Sequence, residues 1–61
     1  MFAVAVDGEL VASRVSKEEV VKILKVTRDM QHVGEVGRIE VASFEPAEGW
    51  VPVCIERFWV N

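Results

Sequence analysis

The first hydrophobic positions of the chain alternate on both sides of a turn signal. Residues 2–13 read FAVAVDGELVAS, two β-rich runs separated by Asp7-Gly8. Both central positions of a type I′ turn need positive φ, and Asp-Gly is among the few pairs that adopt it at low cost. We therefore predict a β-hairpin over residues 2–13. Its two-residue loop pairs Val6 with Glu9, Ala5 with Leu10, Val4 with Val11 and Ala3 with Ala12.

The next segment has the period of an amphipathic helix. Ser16 begins a Ser-Lys-Glu-Glu capping box, in which the Ser16 hydroxyl can accept from the Glu19 amide. Gly34 is a typical left-handed stop, so the helix is predicted over residues 16–33. One apolar stripe follows at helical spacing, made of Val20, Ile23, Leu24, Thr27 and Met30.

Residues 38–60 are predicted to form a second hairpin around the turn Pro46-Ala47-Glu48-Gly49. A five-residue loop pairs Phe44 with Trp50, Val41 with Val53, Ile39 with Ile55 and Arg38 with Glu56. A four-residue loop would instead set Arg38 opposite Arg57. Because like charges directly opposite each other destabilise a sheet, the five-residue loop is favoured.

These elements predict a single α+β domain over residues 1–61, with the order ββαββ. We expect a four-stranded mixed or antiparallel sheet with one helix packed on one face. The first and last strands are apolar on both faces, whereas the second and third carry charges, which favours the spatial order 2-1-4-3 with strands 1 and 4 parallel at the centre. Pro52 lacks the amide that a central strand needs, so it is placed at the first residue of its strand or at a bulge.

A single helix can cover only one face of this sheet. The face predicted to lie under the helix carries Phe2, Val4, Val6, Val11, Ile39, Val41, Val51, Val53 and Ile55. The uncovered face is predicted to carry Ala3, Ala5, Leu10, Ala12, Ala42, Phe44, Trp50, Pro52, Cys54, Phe58 and Val60, with the charged residues Arg38, Glu40 and Glu56 among them. Apolar patches beyond a few hundred Å² are rare on monomers, so this face is predicted to be a protein interface, most simply that of a two-fold homodimer.

Length and composition make oligomerisation useful. The 61 residues are 51% hydrophobic and 28% charged, which is typical of one small globular domain that is only marginally stable alone. Cys54 is the only cysteine and His32 the only histidine, so neither an internal disulfide nor a Cys/His zinc site is predicted, and no cofactor is expected. The apolar runs are too short to span a bilayer, and no basic region precedes the first of them. We therefore predict a cytoplasmic protein without membrane contact.

The net charge of −3 comes entirely from the second half of the chain. The charges through His32 cancel, and beyond it Glu35, Glu40, Glu45, Glu48 and Glu56 outnumber Arg38 and Arg57. Nucleic-acid binding needs a basic stripe, so this balance argues against it. In an alternative interpretation, the acids beside the aromatic residues imitate nucleic acid and occupy a basic site on another protein, as small inhibitors from phages and mobile elements do. A solvated face is the simpler interpretation.

Cys54 and His32 are the candidates for a second alternative, a small isomerase-like enzyme. A reactive thiol needs a base or a cation beside it, and His32 is predicted at the far end of the helix. A cysteine in a strand usually acts as a small hydrophobe, and a histidine at a helix C-terminus is favoured by the helix dipole. The length of the chain is similar to that of the tautomerases that use an N-terminal proline as their base. Here Phe2 follows Met1, so the residue that this chemistry needs is missing. We predict a non-enzymatic interaction module whose partner is a second copy or another protein.

Overall fold

The computed structural model describes residues 1–59, which form one four-stranded sheet, one α-helix and a short 3₁₀ helix. The elements are β1 (Phe2–Val6), β2 (Glu9–Val15), α1 (Lys17–His32), β3 (Ile39–Glu45), β4 (Gly49–Val53) and the 3₁₀ helix (Ile55–Trp59). The α+β class and the ββαββ order are therefore confirmed. None of the helices in this part of the chain is long and apolar enough to cross a bilayer.

The turns and helix ends follow the local signals in the sequence. Asp7 and Gly8 have φ values of 52° and 81° in the first turn. The Glu19 amide donates to the Ser16 hydroxyl at 3.2 Å, which caps the start of α1. Gly34 has a φ of 88°, which ends α1 in the left-handed conformation. Each of these contacts joins residues that are close in sequence, so the local pattern was sufficient to predict them.

The predicted strand order is wrong. The sheet has the order β2-β1-β3-β4, and every neighbouring pair is antiparallel. β4 therefore lies at an edge, where Pro52 removes fewer ladder hydrogen bonds than it would in a central strand. β3 is central although it carries Glu40, because that side chain lies on the face opposite α1 and forms a salt bridge with Arg38 at 3.4 Å.

β2 is longer than β1 and contains two irregularities that change which face its residues occupy. The observed pairs are Val6 with Glu9, Ala5 with Leu10, Val4 with Ala12 and Phe2 with Val15. The first two pairs are confirmed, whereas the predicted pairs of Val4 with Val11 and Ala3 with Ala12 are wrong. Directly opposite residues share a face, so Ala12 lies on the helix side with Val4. The second irregularity places Ser13 and Arg14 together on the other face.

The second hairpin has the predicted register near its turn but not at its far end. Phe44 pairs with Trp50 and Val41 with Val53, as expected for the five-residue loop. β4 ends at Val53, so the predicted pairs of Ile39 with Ile55 and Arg38 with Glu56 do not form. The chain turns there into the 3₁₀ helix, and the Arg57 amide donates to the Cys54 carbonyl at 3.1 Å.

The 3₁₀ helix turns Phe58 into the core. Ile55 and Phe58 are three residues apart, and side chains at that spacing share one face of a 3₁₀ helix. Phe58 is only 7% exposed, and its ring meets Phe2 edge to face with the centroids 5.3 Å apart. Phe58 is therefore a core residue and not part of the uncovered face as predicted.

The hydrophobic core lies between the sheet, α1 and the 3₁₀ helix. Val20 and Leu24 from the predicted helix stripe are fully buried, whereas Met30 at the end of that stripe is exposed. Val11, predicted to lie under the helix, is 52% exposed because α1 lies over β1 and leaves β2 open. The core cluster contains Val4, Val20, Leu24, Val36, Ile39, Val41 and Phe58.

Asp7 joins the first hairpin to the start of β3. Its Oδ1 accepts hydrogen bonds from the Gly37 amide at 3.0 Å and from the Arg38 amide at 2.8 Å. The Asp7 amide in turn donates to the Arg38 carbonyl at 2.8 Å. A Cβ on Gly37 would lie 2.9 Å from Asp7 Oδ1, so a larger residue at this position would displace the Asp7 carboxylate. Asp7 thus serves both the turn and a long-range connection.

Replacing Asp7 with glycine separates these two roles. Asp7→Gly keeps a residue that accepts positive φ but leaves the two amides without their acceptor. We expect the free energy of unfolding to fall by about 1–3 kcal/mol, measured by urea denaturation. Asp7→Asn is the control, because it accepts positive φ and retains an oxygen acceptor, and we expect a smaller loss. A free energy of unfolding that is unchanged in Asp7→Gly would show that the contact with the start of β3 contributes nothing.

Candidate functional site: the uncovered face of the sheet

The face of the sheet opposite α1 contains a concave region of about 380 Å³, which we call the alanine groove. Its floor is formed by small side chains on the central strands, and its two sides by larger side chains on the edge strands β2 and β4. The lining residues are Ala3, Ala5, Leu10, Ser13, Arg14, Glu40, Val41, Ala42, Trp50 and Pro52. Alanines in the middle of the sheet leave its backbone accessible to close approach by another surface.

An aromatic pair stands at one side of the alanine groove. The register of the second hairpin sets Phe44 opposite Trp50, and their rings meet edge to face with centroids 5.3 Å apart. Such a pair contributes about 0.5–1.5 kcal/mol beyond the area it buries, which holds the two rings in a fixed arrangement. Phe44 is nevertheless 42% exposed and Trp50 43% exposed. Across the groove, Leu10 on β2 is 62% exposed.

Two opposite charges also line the alanine groove. Among the described residues that line the groove, Arg14 on β2 is the one basic residue and Glu40 on β3 is the one acidic residue. Arg14 also lines an adjacent recess of about 200 Å³ together with Met1, Phe44 and Trp50. The Arg14 backbone has a φ of 57°, a left-handed conformation that favours glycine.

The structure brings together only some of the predicted interface residues. Ala3, Ala5, Leu10 and Trp50 line the alanine groove, and Phe44 stands beside it. Ala12 faces the helix side and Phe58 is in the core, so both placements were wrong. Val60 lies outside the described residues.

No family model, curated protein or solved structure matches this chain. The geometry of the face itself is therefore the basis for assigning the site.

Arg14 and Ser13 are groove residues that the predicted register missed. They reach this face only because β2 contains two irregularities opposite β1. The one available signal was the length of the second apolar run, since β2 continues for seven residues against the five of β1. A bulge adds a residue to one strand without changing the alternating composition that suggests a strand, so its position is not readable from the pattern.

Cys54 lies beyond β4, where it is exposed and is not part of a strand as predicted. Its Sγ donates to Glu56 Oε2 at 2.9 Å. This hydrogen bond is the main cause that lowers the pKa of Glu56 below its ordinary value; a backbone hydrogen bond and the charge of Arg28 also lower it, and desolvation opposes them. The partner of the thiol is thus a carboxylate and not an imidazole or a cation.

His32 lies in the last turn of α1, in a shallow depression with Arg28, Asp29 and Gln31. The thiol and the imidazole belong to different elements, and no hydrogen bond joins them. Within residues 1–59, no group of three His, Cys, Asp or Glu side chains is placed to hold a metal ion. The enzymatic alternative and the nucleic-acid mimic both stay predictions.

A second apolar groove of about 510 Å³ lies between α1 and β2. It is lined by Val6, Val11, Lys22, Ile23, Val26, Thr27, Met30 and Val36. This groove has no aromatic side chain and only one charge, so it lacks the anchors that dominate interface energetics. The uncovered face is therefore the stronger candidate site.

Proposed function

We propose that this protein is a small non-enzymatic interaction module that forms a two-fold homodimer through the uncovered face of its sheet. The observation that carries the proposal is the exposed Phe44–Trp50 pair beside the alanine groove. Binding energy at interfaces is concentrated in a few large side chains, with tryptophan foremost among them. A floor of alanines lets a second backbone approach while those aromatic side chains supply the buried area.

The size of the face supports a dimer. The molecule measures 38 × 28 × 16 Å, and its short dimension accommodates the sheet and the helix layer. The two longer dimensions enclose roughly 1,000 Å², whereas a stable interface of standard size buries about 800 Å² on each partner. One uncovered face is therefore large enough for a specific dimer without a contribution from the helix side.

The exposed surface of the single chain points the same way. A folded monomer of 6.8 kDa is expected to expose about 4,000 Å², and this chain exposes 4458 Å². Its core cluster is small, and chains of this length usually need a further source of stability. Burying the uncovered face against a second copy would supply it through the hydrophobic effect.

The edges of the sheet favour docking on the face over the addition of a strand. A partner strand at β2 would meet an irregular backbone with Arg14 in the left-handed conformation. A partner strand at β4 would meet Pro52, which has no amide to donate. Irregularities and prolines at sheet edges are devices that prevent pairing with other strands. The two copies are therefore expected to stack face to face.

We propose the cytoplasm as the location, because Cys54 is exposed and has no other cysteine in the chain to pair with. Such a thiol suits a reducing compartment. A different protein that uses the same face remains the second proposal for the partner, and it would compete with the second copy for the alanine groove.

Sedimentation velocity over a range of concentrations tests the proposed homodimer. We expect the sedimentation coefficient to rise from the monomer value to the dimer value between about 1 and 100 μM, the range typical of modest interfaces. A single monomeric species over that whole range would contradict the proposal.

A further inference from the structure

We propose that Arg14 is the polar anchor of this homodimer, and that its guanidinium binds the Glu40 carboxylate of the second copy across the alanine groove. This inference rests on the proposed function and adds to it the residues that fix how the two copies are oriented. The backbone of Arg14 has a left-handed conformation, which is unfavourable for arginine.

Arg14 is held in a conformation that glycine would adopt freely. Its φ of 57° brings Cβ close to the following carbonyl oxygen, which costs every L-residue free energy. The other described non-glycine residue with positive φ is Asp7, which belongs to an Asp-Gly turn that requires this conformation. At Arg14 the positive φ belongs to the second irregularity of β2, a position where glycine is the usual residue. Strained residues persist where their side chain or backbone serves a site, so the arginine side chain is the feature to explain.

Among residues 1–59, no carboxylate lies within salt-bridge distance of the Arg14 guanidinium. The salt bridges of residues 1–59 join Lys22 to Glu19 and Arg38 to Glu40, and neither includes Arg14. Instead the side chain lines the alanine groove and the recess beside Phe44 and Trp50. A guanidinium carries five N–H donors in a planar fork that matches a carboxylate. The side chain is thus placed on the proposed interface with its donors available.

Of the carboxylates in residues 1–59, only that of Glu40 lines the alanine groove. Glu40 lies on β3, two strands away from β2, so the groove carries one positive and one negative side chain on different strands. A two-fold axis exchanges equivalent positions, which means that a contact from Arg14 to Glu40 occurs twice when it occurs once. A two-fold axis that lies between the two stacked sheets, over the alanine floor, would therefore form two ion pairs at the same time. The face is complementary in charge to a second copy of itself.

The salt bridge of Glu40 with Arg38 leaves room for this second contact. The Glu40 side chain is still 49% exposed, and a carboxylate can accept about four hydrogen bonds. Arg38 on one side and Arg14 of the second copy on the other would enclose the carboxylate between two cations. Charge pairs of this kind determine register and orientation more than total affinity.

A charge exchange tests the pair by sedimentation velocity and equilibrium. We expect Arg14→Glu alone and Glu40→Arg alone each to raise the dimer dissociation constant about tenfold or more, because each places like charges together. The double variant Arg14→Glu/Glu40→Arg restores opposite charges and should recover to within about threefold of the original value. Arg57→Glu is the matched control for Arg14→Glu: it makes the same change in net charge on the 3₁₀ helix, which packs against α1, and should leave the constant unchanged.

Arg14→Gly tests the strain separately from the charge. In the Trp50→Ala background, where dissociation does not contribute, relief of the left-handed strain should raise the melting temperature by about 4 °C. In the original background the same substitution should weaken the dimer. A lower melting temperature for Arg14→Gly would overturn the argument from strain.

The outcomes separate this inference from the proposed function. If the unaltered protein stays monomeric, the homodimer and the Arg14 contact both fail. If it dimerises but Arg14→Glu weakens it no more than Arg57→Glu, or the double variant does not recover, the homodimer stands and the Arg14–Glu40 contact is wrong. Recovery in the double variant also excludes a different protein as the binding partner of Arg14, because only a second copy carries the exchanged charge.

Discussion

Trp50→Ala is expected to weaken self-association by about 100-fold, which corresponds to about 2.7 kcal/mol of binding free energy. Trp50 combines a large ring, substantial exposure in the single chain and a position at the side of the alanine groove. Its truncation removes the larger partner of the edge-to-face pair with Phe44 and leaves that ring without support. The measurement is the dimer dissociation constant from sedimentation equilibrium.

The matched control for Trp50→Ala is Val26→Ala. Val26 is an apolar residue on α1 with an even larger exposed fraction, 61%, but it lies on the other side of the molecule in the second groove. Its truncation should leave the dissociation constant within about twofold of the original. If Val26→Ala weakens the dimer as much as Trp50→Ala does, the interface is the helix side and not the uncovered face.

Phe58→Ala is expected to destabilise the fold by about 3–5 kcal/mol, because it empties a buried aromatic site in the core. A chain of 61 residues has a total stability of about 3–9 kcal/mol, so this single change should leave it partly or wholly unfolded at room temperature. Phe58 is held between Phe2 and the rest of the core cluster, and few neighbouring side chains remain to fill the space. Urea denaturation followed by circular dichroism gives the free energy.

Phe44→Ala is the control for Phe58→Ala, since it removes the same side chain from an exposed position. Both substitutions are made in the Trp50→Ala background, so that the free energy of unfolding contains no contribution from dissociation. Phe44→Ala should cost no more than about 1 kcal/mol there. Equal losses at the two positions would mean that Phe58 is not in the core, and would return it to the uncovered face where its alternation in the sequence had placed it.

Much of the fold was readable from residues that are close together in the chain. The Asp7-Gly8 turn, the Ser16 cap and the Gly34 stop were all predicted and observed, because each requires a particular residue for a local backbone conformation. The register near both hairpin turns followed from loop length. These features depend on contacts within a few residues, which is the range over which a sequence pattern carries most of its information.

The strand order was predicted wrongly because each strand could pair with any of several others. An apolar strand is expected at the centre of a sheet, yet β4 is apolar on both faces and lies at the edge. One face of β4 lies on the helix side, and the other carries the exposed Trp50. Both faces of β4 are therefore apolar because one contributes to the core and the other to the candidate interface, not because the strand is central. Pro52 was the correct signal against a central placement.

The candidate site was predicted as a face but not as a set of residues. Phe44, Trp50 and Leu10 were correctly placed there, as were Ala3, Ala5 and Ala42, because alternation assigns faces well along regular strands. Arg14 was missed because the irregularities of β2 change which face of the sheet its later residues occupy. Phe58 was misplaced because β4 ends at Val53, before Phe58 is reached. Asp7 was recognised for its turn alone, because its contact with Gly37 joins segments thirty residues apart.

The sequence by itself determined that this chain forms two hairpins around one capped helix, and that a single helix leaves one apolar sheet face uncovered. Those conclusions need only local conformational preferences and the count of layers. The tertiary structure alone decided that β1 and β3 are central and that Phe58 is part of the core. It also decided that Arg14 lines the same recess as Phe44 and Trp50, beside the alanine groove. These features depend on contacts between segments that are far apart in the sequence. Such contacts are defined only when the whole chain is packed around one core.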